Sequence, residues 1–137
     1  MNRRILVTGS SRGIGKAIAL ELAKAGFDVT VHARSRQSEA EAVAQKIQAL
    51  GLASHVLMFD VNEREKIAAI LEQDIAQHGA FYGAVLNAGL TRDGAFPALT
   101  DEDWDDVVST SLNGFYNVLK PLMMPMIRLK KGGRIVT

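Results

Sequence analysis

The stretch TGSSRGIG at residues 8–15 decides the fold of this chain, because it joins an apolar run to a segment with helical spacing. The run ILVT at residues 5–8 predicts a buried strand, and a helix is predicted after the glycines. Gly9 can make the tight turn out of the strand, Gly13 lets the backbone approach an anion, and Gly15 lets the helix pack closely on the sheet. The free N–H groups of that helix carry partial positive charge, so the stretch predicts a phosphate-binding loop.

A Walker A loop is the rival interpretation, since Lys16 follows the glycines. That motif has four residues between its glycines and a Ser or Thr after its lysine. Here five residues separate Gly9 from Gly15, and Ala17 stands where the magnesium-binding hydroxyl belongs. The sequence therefore favours a dinucleotide-binding loop, and a glycine-rich turn without a ligand is the remaining alternative.

Apolar strand-like runs alternate with helical patterns along the rest of the chain. Strands are predicted at residues 5–8, 29–33, 55–59, 84–86 and 134–137, and helices at 15–25, 38–50, 62–78, from 101, and 112–130. Capping boxes are predicted at Asn62 with Glu65 and at Thr100 with Asp103. This order predicts an α/β fold, a Rossmann-type doubly wound parallel sheet. The chain stops in or after the fifth strand, so we expect residues 1–137 to be one incomplete dinucleotide-binding domain.

Composition argues against several other classes of function. The net charge of +1 gives no electrostatic case for a nucleic-acid or membrane partner. No apolar run approaches the roughly 18 residues that span a bilayer. The absence of cysteine rules out thiolate chemistry and fits a cytoplasmic protein. The histidines His32, His55 and His78 are far apart in the sequence and are predicted to be strand or surface residues, so no metal site is expected.

The end of the second predicted strand indicates which dinucleotide is bound. Folds that bind NAD place an Asp or Glu there, about 20 residues after the glycines, to bind the ribose 2′-hydroxyl. Residues 32–36 read HARSR and contain no acid. Arg34 offers a guanidinium suited to a phosphate, and Arg12 can reach the same group. The sequence therefore favours NADP(H) as cofactor, and the alternative is that Arg34 and Arg36 are solvated surface residues.

Three short motifs resemble those of the short-chain dehydrogenase/reductase family. Residues 8–15 match its Thr-Gly-x-x-x-Gly-x-Gly signature, Asp60-Val61 match its adenine-contacting pair, and Asn87-Ala88-Gly89 match its Asn-Ala-Gly motif. The stretch NAGLTRD at residues 87–93, followed by Trp104, resembles the 3-oxoacyl-(acyl-carrier-protein) reductase group, and acetoacetyl-CoA reductases share its Thr-Arg-Asp pattern. The loop and the resemblance together assign cofactor contacts to Gly9, Ser11, Arg12, Gly13, Ile14, Gly15, Arg34, Asp60, Val61, Asn87, Ala88 and Gly89.

The resemblance implies NADPH-dependent reduction of a 3-oxoacyl thioester, linked to acyl carrier protein or coenzyme A, in a homodimer or homotetramer. The family's catalytic Ser and Tyr-x-x-x-Lys lie beyond the fifth strand, so we expect the isolated chain to be inactive. Tyr116 and Lys120 have that spacing but precede the fifth strand, which predicts an ordinary helical pair. Two alternatives stay open: a short-chain dehydrogenase acting on another ketone or alcohol, and a non-catalytic nucleotide-binding module.

One departure from the family's pattern concerns the start of the long helix. The family has an Asn there that supports its lysine and a proton-relay water, and Ser111 stands at that position here. Asn113 comes two residues later and would point about 200° around a regular helix. Ser111 is therefore the candidate for this role, as a hydroxyl that can still hold water.

Overall fold

The computed structural model describes residues 2–89 and 96–137. Within them the strands are β1 (Arg4–Val7), β2 (Asp28–Ala33), β3 (Ser54–Met58), β4 (Gly83–Val85) and β5 (Arg134–Val136). The α-helices are α1 (Gly13–Lys24), α2 (Gln37–Ala49), α3 (Arg64–His78), α4 (Asp101–Val108) and α5 (Gly114–Leu129). A short 3-10 turn (Phe96–Ala98) precedes α4, and a π-helical segment (Ser109–Asn113) joins α4 to α5.

The strands form one parallel sheet in the order β3-β2-β1-β4-β5. Leu6 of β1 aligns with Thr30 of β2 on one side and with Ala84 of β4 on the other. The chain builds the sheet outward from β1 in one direction, then crosses back to add β4 and β5. This order is that of a doubly wound Rossmann-type sheet, and its switch point, where ligands bind in such sheets, lies between β1 and β4.

Alternation along the strands divides the core into two layers. Ile5 and Val7 of β1 pack with the buried faces of α1 and α2, whereas Leu6 between them packs with buried residues of α3 and α5. Successive side chains of a strand point to opposite faces, so a run of three apolar residues serves both layers. The helices thus cover both faces, and the backbone at the carboxyl ends of β1 and β4 is left to form the site.

The predicted element boundaries agree with the structure to within about two residues. The predicted capping box of Thr100 and Asp103 is confirmed at the start of α4. The box at Asn62 is wrong, because α3 starts at Arg64 after Glu63 and has no side-chain cap. Asp60 instead accepts the Asn62 N–H, at 2.9 Å. None of the described helices is long and apolar enough to cross a membrane.

Candidate functional site

The glycine loop lies at the carboxyl end of β1. Gly9 and Gly13 have φ of +63° and +61°, which L side chains rarely adopt. The Ser10 hydroxyl donates to the Val7 carbonyl, at 2.7 Å, and turns the chain toward α1. No side chain caps the N-terminus of α1, and its first turn contains no acid. No side chain therefore occupies the place at its first N–H groups where an anion could bind.

Close packing explains the third glycine. A Cβ on Gly15 would lie 2.1 Å from the Gly9 carbonyl oxygen and 2.6 Å from Asn87 Nδ2. A Cβ on Gly13 would meet nothing within 4 Å. Gly15 is thus fixed by the protein's own packing, whereas the backbone at Gly13 faces open space that a ligand can occupy.

The Asn-Ala-Gly motif after β4 forms hydrogen bonds that hold the glycine loop in place. Asn87 Nδ2 donates to the Gly9 carbonyl at 3.2 Å, and the Ala88 N–H donates to Thr8 Oγ1 at 3.0 Å. Gly89 follows at the exposed edge, and residues 90–93, which extend the motif in the sequence, lie outside the described residues. Two of the three sequence motifs therefore meet at the switch point of the sheet.

His32 is a component of the site that the sequence analysis missed. Its side chain is buried, its Nδ1 accepts the Gly9 N–H at 2.9 Å, and its Nε2 donates to the Phe59 carbonyl at 2.8 Å. Burial lowers its pKa to about 4, so the ring is neutral at pH 7. The only sequence signal was a polar side chain next to the valines of β2, and that pattern does not reveal its partners.

A cavity of about 370 Å³ opens beside the end of β2 and contains Arg34 and Asp60 in its lining. Arg34 and Arg12 are both exposed. Among the described residues no carboxylate pairs with either guanidinium, whereas Arg36 pairs with Glu39 at 3.3 Å. The two arginines that the sequence assigned to a phosphate are therefore available for one.

The Asp60-Val61 pair is held by α5. The buried Asn117 donates from Nδ2 to the Val61 carbonyl at 2.9 Å and accepts from Arg64 Nε at 2.7 Å. A Cβ on Gly114 would lie 3.0 Å from a Val61 methyl group. Asn117 was not predicted, because nothing local to α5 shows that its side chain faces the turn after β3.

Ser111 lies in the π-helical segment and is exposed. It lines a small cavity of about 60 Å³ together with Thr8, Ala88 and Thr137. Asn113 does not line this cavity, and its Nδ2 donates to Ser109 Oγ at 3.2 Å. The structure thus places Ser111 beside the ends of β1 and β4.

Two other groups of residues that the sequence analysis considered lie away from this site. Lys120 Nζ donates to Tyr116 Oη at 2.8 Å on the exposed face of α5, the spacing expected of a helical pair. His55 and His78 are 23 residues apart in the numbering, but their rings stack with centroids 4.3 Å apart. Their separation in the sequence did not show that the fold brings these two histidines together.

Comparison with known proteins places this geometry in a family. The sequence profile described as short chain dehydrogenase matches residues 3–137. A 3-oxoacyl-(acyl-carrier-protein) reductase of Aggregatibacter actinomycetemcomitans is 67% identical over 136 residues, which are 99% of this chain and 56% of that protein. The corresponding reductase of Pseudomonas aeruginosa is 42% identical over 96% of this chain and 52% of its own length. The chain therefore spans about half the length of the curated relatives it matches.

Solved structures agree with the assignment. A gluconate 5-dehydrogenase of Burkholderia cenocepacia, in complex with NADP and tartrate, superposes with a TM-score of 0.88 at 32% identity, over 99% of this chain and 53% of that one. An acetoin dehydrogenase of Enterobacter cloacae gives 0.88 at 29% identity, over 98% and 54%. From its sequence profile and its doubly wound sheet, this chain belongs to the short-chain dehydrogenase family.

Proposed function

We propose that this chain is the nucleotide-binding part of an NADP(H)-dependent oxidoreductase that reduces a 3-oxoacyl thioester to the 3-hydroxyacyl thioester. The observation that carries the cofactor assignment is the uncapped start of α1, together with the exposed guanidinium groups of Arg12 and Arg34, which pair with no carboxylate among the described residues. Support for the substrate class comes from the relatives at 67% and 42% identity, both named as 3-oxoacyl-(acyl-carrier-protein) reductases.

The residues present fit the dinucleotide. The open space at Gly13 admits a diphosphate to the N–H groups at the start of α1, where the helix dipole favours an anion. Arg34 and Arg12 would bind the 2′-phosphate, and Asp60 and Val61 would contact the adenine. When bound, NADPH supplies a hydride for the ketone. Ser111, beside the ends of β1 and β4, would hold a water molecule for a proton relay.

The cofactor assignment is tested with Arg34. In Arg34→Ala, NADPH affinity should fall about tenfold to a hundredfold, because hydrogen bonds to a charged group contribute about 1.5–3 kcal/mol. NADH affinity should be almost unchanged, because NADH lacks the 2′-phosphate. Arg36→Ala is the matched control, since Arg36 is an exposed arginine paired with Glu39. Fluorescence titration of both nucleotides measures this, and a wild-type preference for NADH contradicts the assignment.

The substrate class is tested on the complete protein. We expect turnover of acetoacetyl-CoA and of 3-oxoacyl thioesters on acyl carrier protein with NADPH. The second candidate is a dehydrogenase of another alcohol, which the gluconate and acetoin dehydrogenase neighbours favour. Turnover of gluconate or acetoin without turnover of the thioesters would support it. Binding of NADPH without any turnover would support a non-catalytic module.

An apolar exposed face suggests how the complete protein assembles. On α4, the π-helical segment and α5, large apolar side chains are 40% to 66% exposed: Trp104, Leu112, Phe115, Tyr116, Met124 and Ile127. Large apolar side chains left exposed on successive helical segments are a candidate interaction site. We therefore propose a cytoplasmic homodimer or homotetramer that buries this face. Light scattering of the complete protein tests the stoichiometry, and a monomer at micromolar concentration contradicts it.

A further inference from the structure

A second cluster of polar side chains lies away from the glycine loop, at the start of β3 and the end of α3. His55 Nε2 and Asp74 Oδ1 are 2.5 Å apart, and the ring of His78 stacks on that of His55 at 26°. Asp74 and His78 are four residues apart on α3, so they lie on the same face of the helix. One donor atom from each of the three residues lies within 4.8 Å of the others.

This donor set suits a metal ion of intermediate softness. Imidazole nitrogens with one carboxylate bind Zn²⁺, and a site with three protein ligands keeps its fourth position for water. Zinc bonds of about 2.0–2.1 Å place tetrahedral ligands farther apart than the His55–Asp74 hydrogen bond. The exposed His78 and half-buried His55 can make this adjustment by side-chain rotation.

Arg4 orients the carboxylate of the cluster. Its Nη2 donates to Asp74 Oδ2 at 2.6 Å and to the Gly79 carbonyl, also at 2.6 Å. Oδ1 is thereby directed toward His55 and away from the guanidinium. Groups that hold a metal ligand in this way usually act from outside the coordination shell. The positive charge of Arg4 lowers the affinity of the site for every cation alike. Selection for transition metals over Mg²⁺ and Ca²⁺ comes instead from the two imidazole ligands, because Mg²⁺ and Ca²⁺ prefer oxygen ligands.

We propose that His55, Asp74 and His78 form a binding site for a divalent transition-metal ion, with Zn²⁺ as the ion that suits them. The metal replaces the proton shared by His55 Nε2 and Asp74 Oδ1 and connects the edge strand β3 to the end of α3. The chain contains no cysteine and three histidines, and the third, His32, is buried with both ring nitrogens bonded. Imidazole-dependent zinc binding is therefore assigned to this cluster alone.

Isothermal titration calorimetry of tag-free, chelator-treated protein with Zn²⁺, and separately with Mg²⁺, tests the proposal. We expect one Zn²⁺ per chain and no response to Mg²⁺. His78→Ala should weaken Zn²⁺ binding more than about tenfold, the usual minimum for disturbing a metal site. Because His78 is exposed, this variant should keep its fold. Gln77→Ala is the matched control, an exposed neighbour on α3 that should bind as the wild type does.

A second measurement identifies the ligands directly. In histidine NMR spectra, Zn²⁺ should shift the ring signals of His55 and His78 and leave those of His32 in place. Equal Zn²⁺ affinity in the wild type and His78→Ala, or no binding at millimolar Zn²⁺, overturns the proposal and leaves the cluster as a hydrogen-bonded contact. Neither readout involves nucleotide, so the result is independent of the proposed reductase function.

Discussion

The free energy of unfolding should fall when the solution is acidified, and replacing His32 with Gln should remove most of that fall. The imidazole is 2% exposed and its pKa falls from 6.5 to about 4 because burial outweighs the opposing effects of the Phe59 carbonyl and the Asp60 charge. The unfolded chain therefore takes up a proton near pH 6.5 while the folded protein does not. The stability that the neutral, buried His32 contributes to the free energy of unfolding is complete above pH 6.5 and is lost as the pH falls toward 4.

The magnitude follows from the two pKa values. One pKa unit corresponds to about 1.4 kcal/mol, so the full effect is about 3 kcal/mol, of which about 2 kcal/mol is lost at pH 5. Protonation would also place a donor at Nδ1, opposite the Gly9 N–H that it now accepts at 2.9 Å. Acidification should therefore disturb the glycine loop before other parts of the sheet.

Urea unfolding followed by circular dichroism at pH 7 and pH 5 measures this effect. The free energy of unfolding should fall by about 2 kcal/mol more in the wild type than in His32→Gln. All other ionisable groups are common to both proteins, so the comparison isolates the effect of residue 32. Parallel pH profiles, or an NMR titration of the His32 ring near pH 6.5, would refute the argument that burial keeps it neutral.

Three further substitutions test the site. Gly15→Ala should lower the unfolding free energy in urea by about 3 kcal/mol and abolish NADPH binding, because its Cβ would lie 2.1 Å from the Gly9 carbonyl oxygen; a variant of wild-type stability contradicts this. Asn117→Ala should cost about 1–3 kcal/mol on urea unfolding by leaving the Val61 carbonyl without its donor; an unchanged midpoint would show that water replaces the amide. In the complete protein, Ser111→Ala should lower kcat about five- to tenfold, the value of one hydrogen bond near 1 kcal/mol, with little change in KM; unaltered kcat would exclude a relay through this hydroxyl.

The predicted starts of two helices differ from the structure, each because of the backbone conformation just before the helix. Asn62 and Glu65 have the spacing of a capping box, but the carboxylate of Asp60 already binds the Asn62 N–H and the helix starts two residues later. The long helix was predicted to begin at Leu112, whereas a π-helical segment ends at Asn113. A pattern of apolar positions cannot distinguish a π turn from an α turn over five residues.

The sequence by itself determined the parallel sheet, its flanking helices and the glycine turn after β1. Strand and helix periods are local properties, and the positive φ of Gly9 and Gly13 excludes most side chains. Only the tertiary structure decided that His32 bonds Gly9 and that Asn117 bonds Val61. These partners are 23 and 56 residues apart. Such contacts depend on how strands and helices pack, and no local pattern of residue types encodes them.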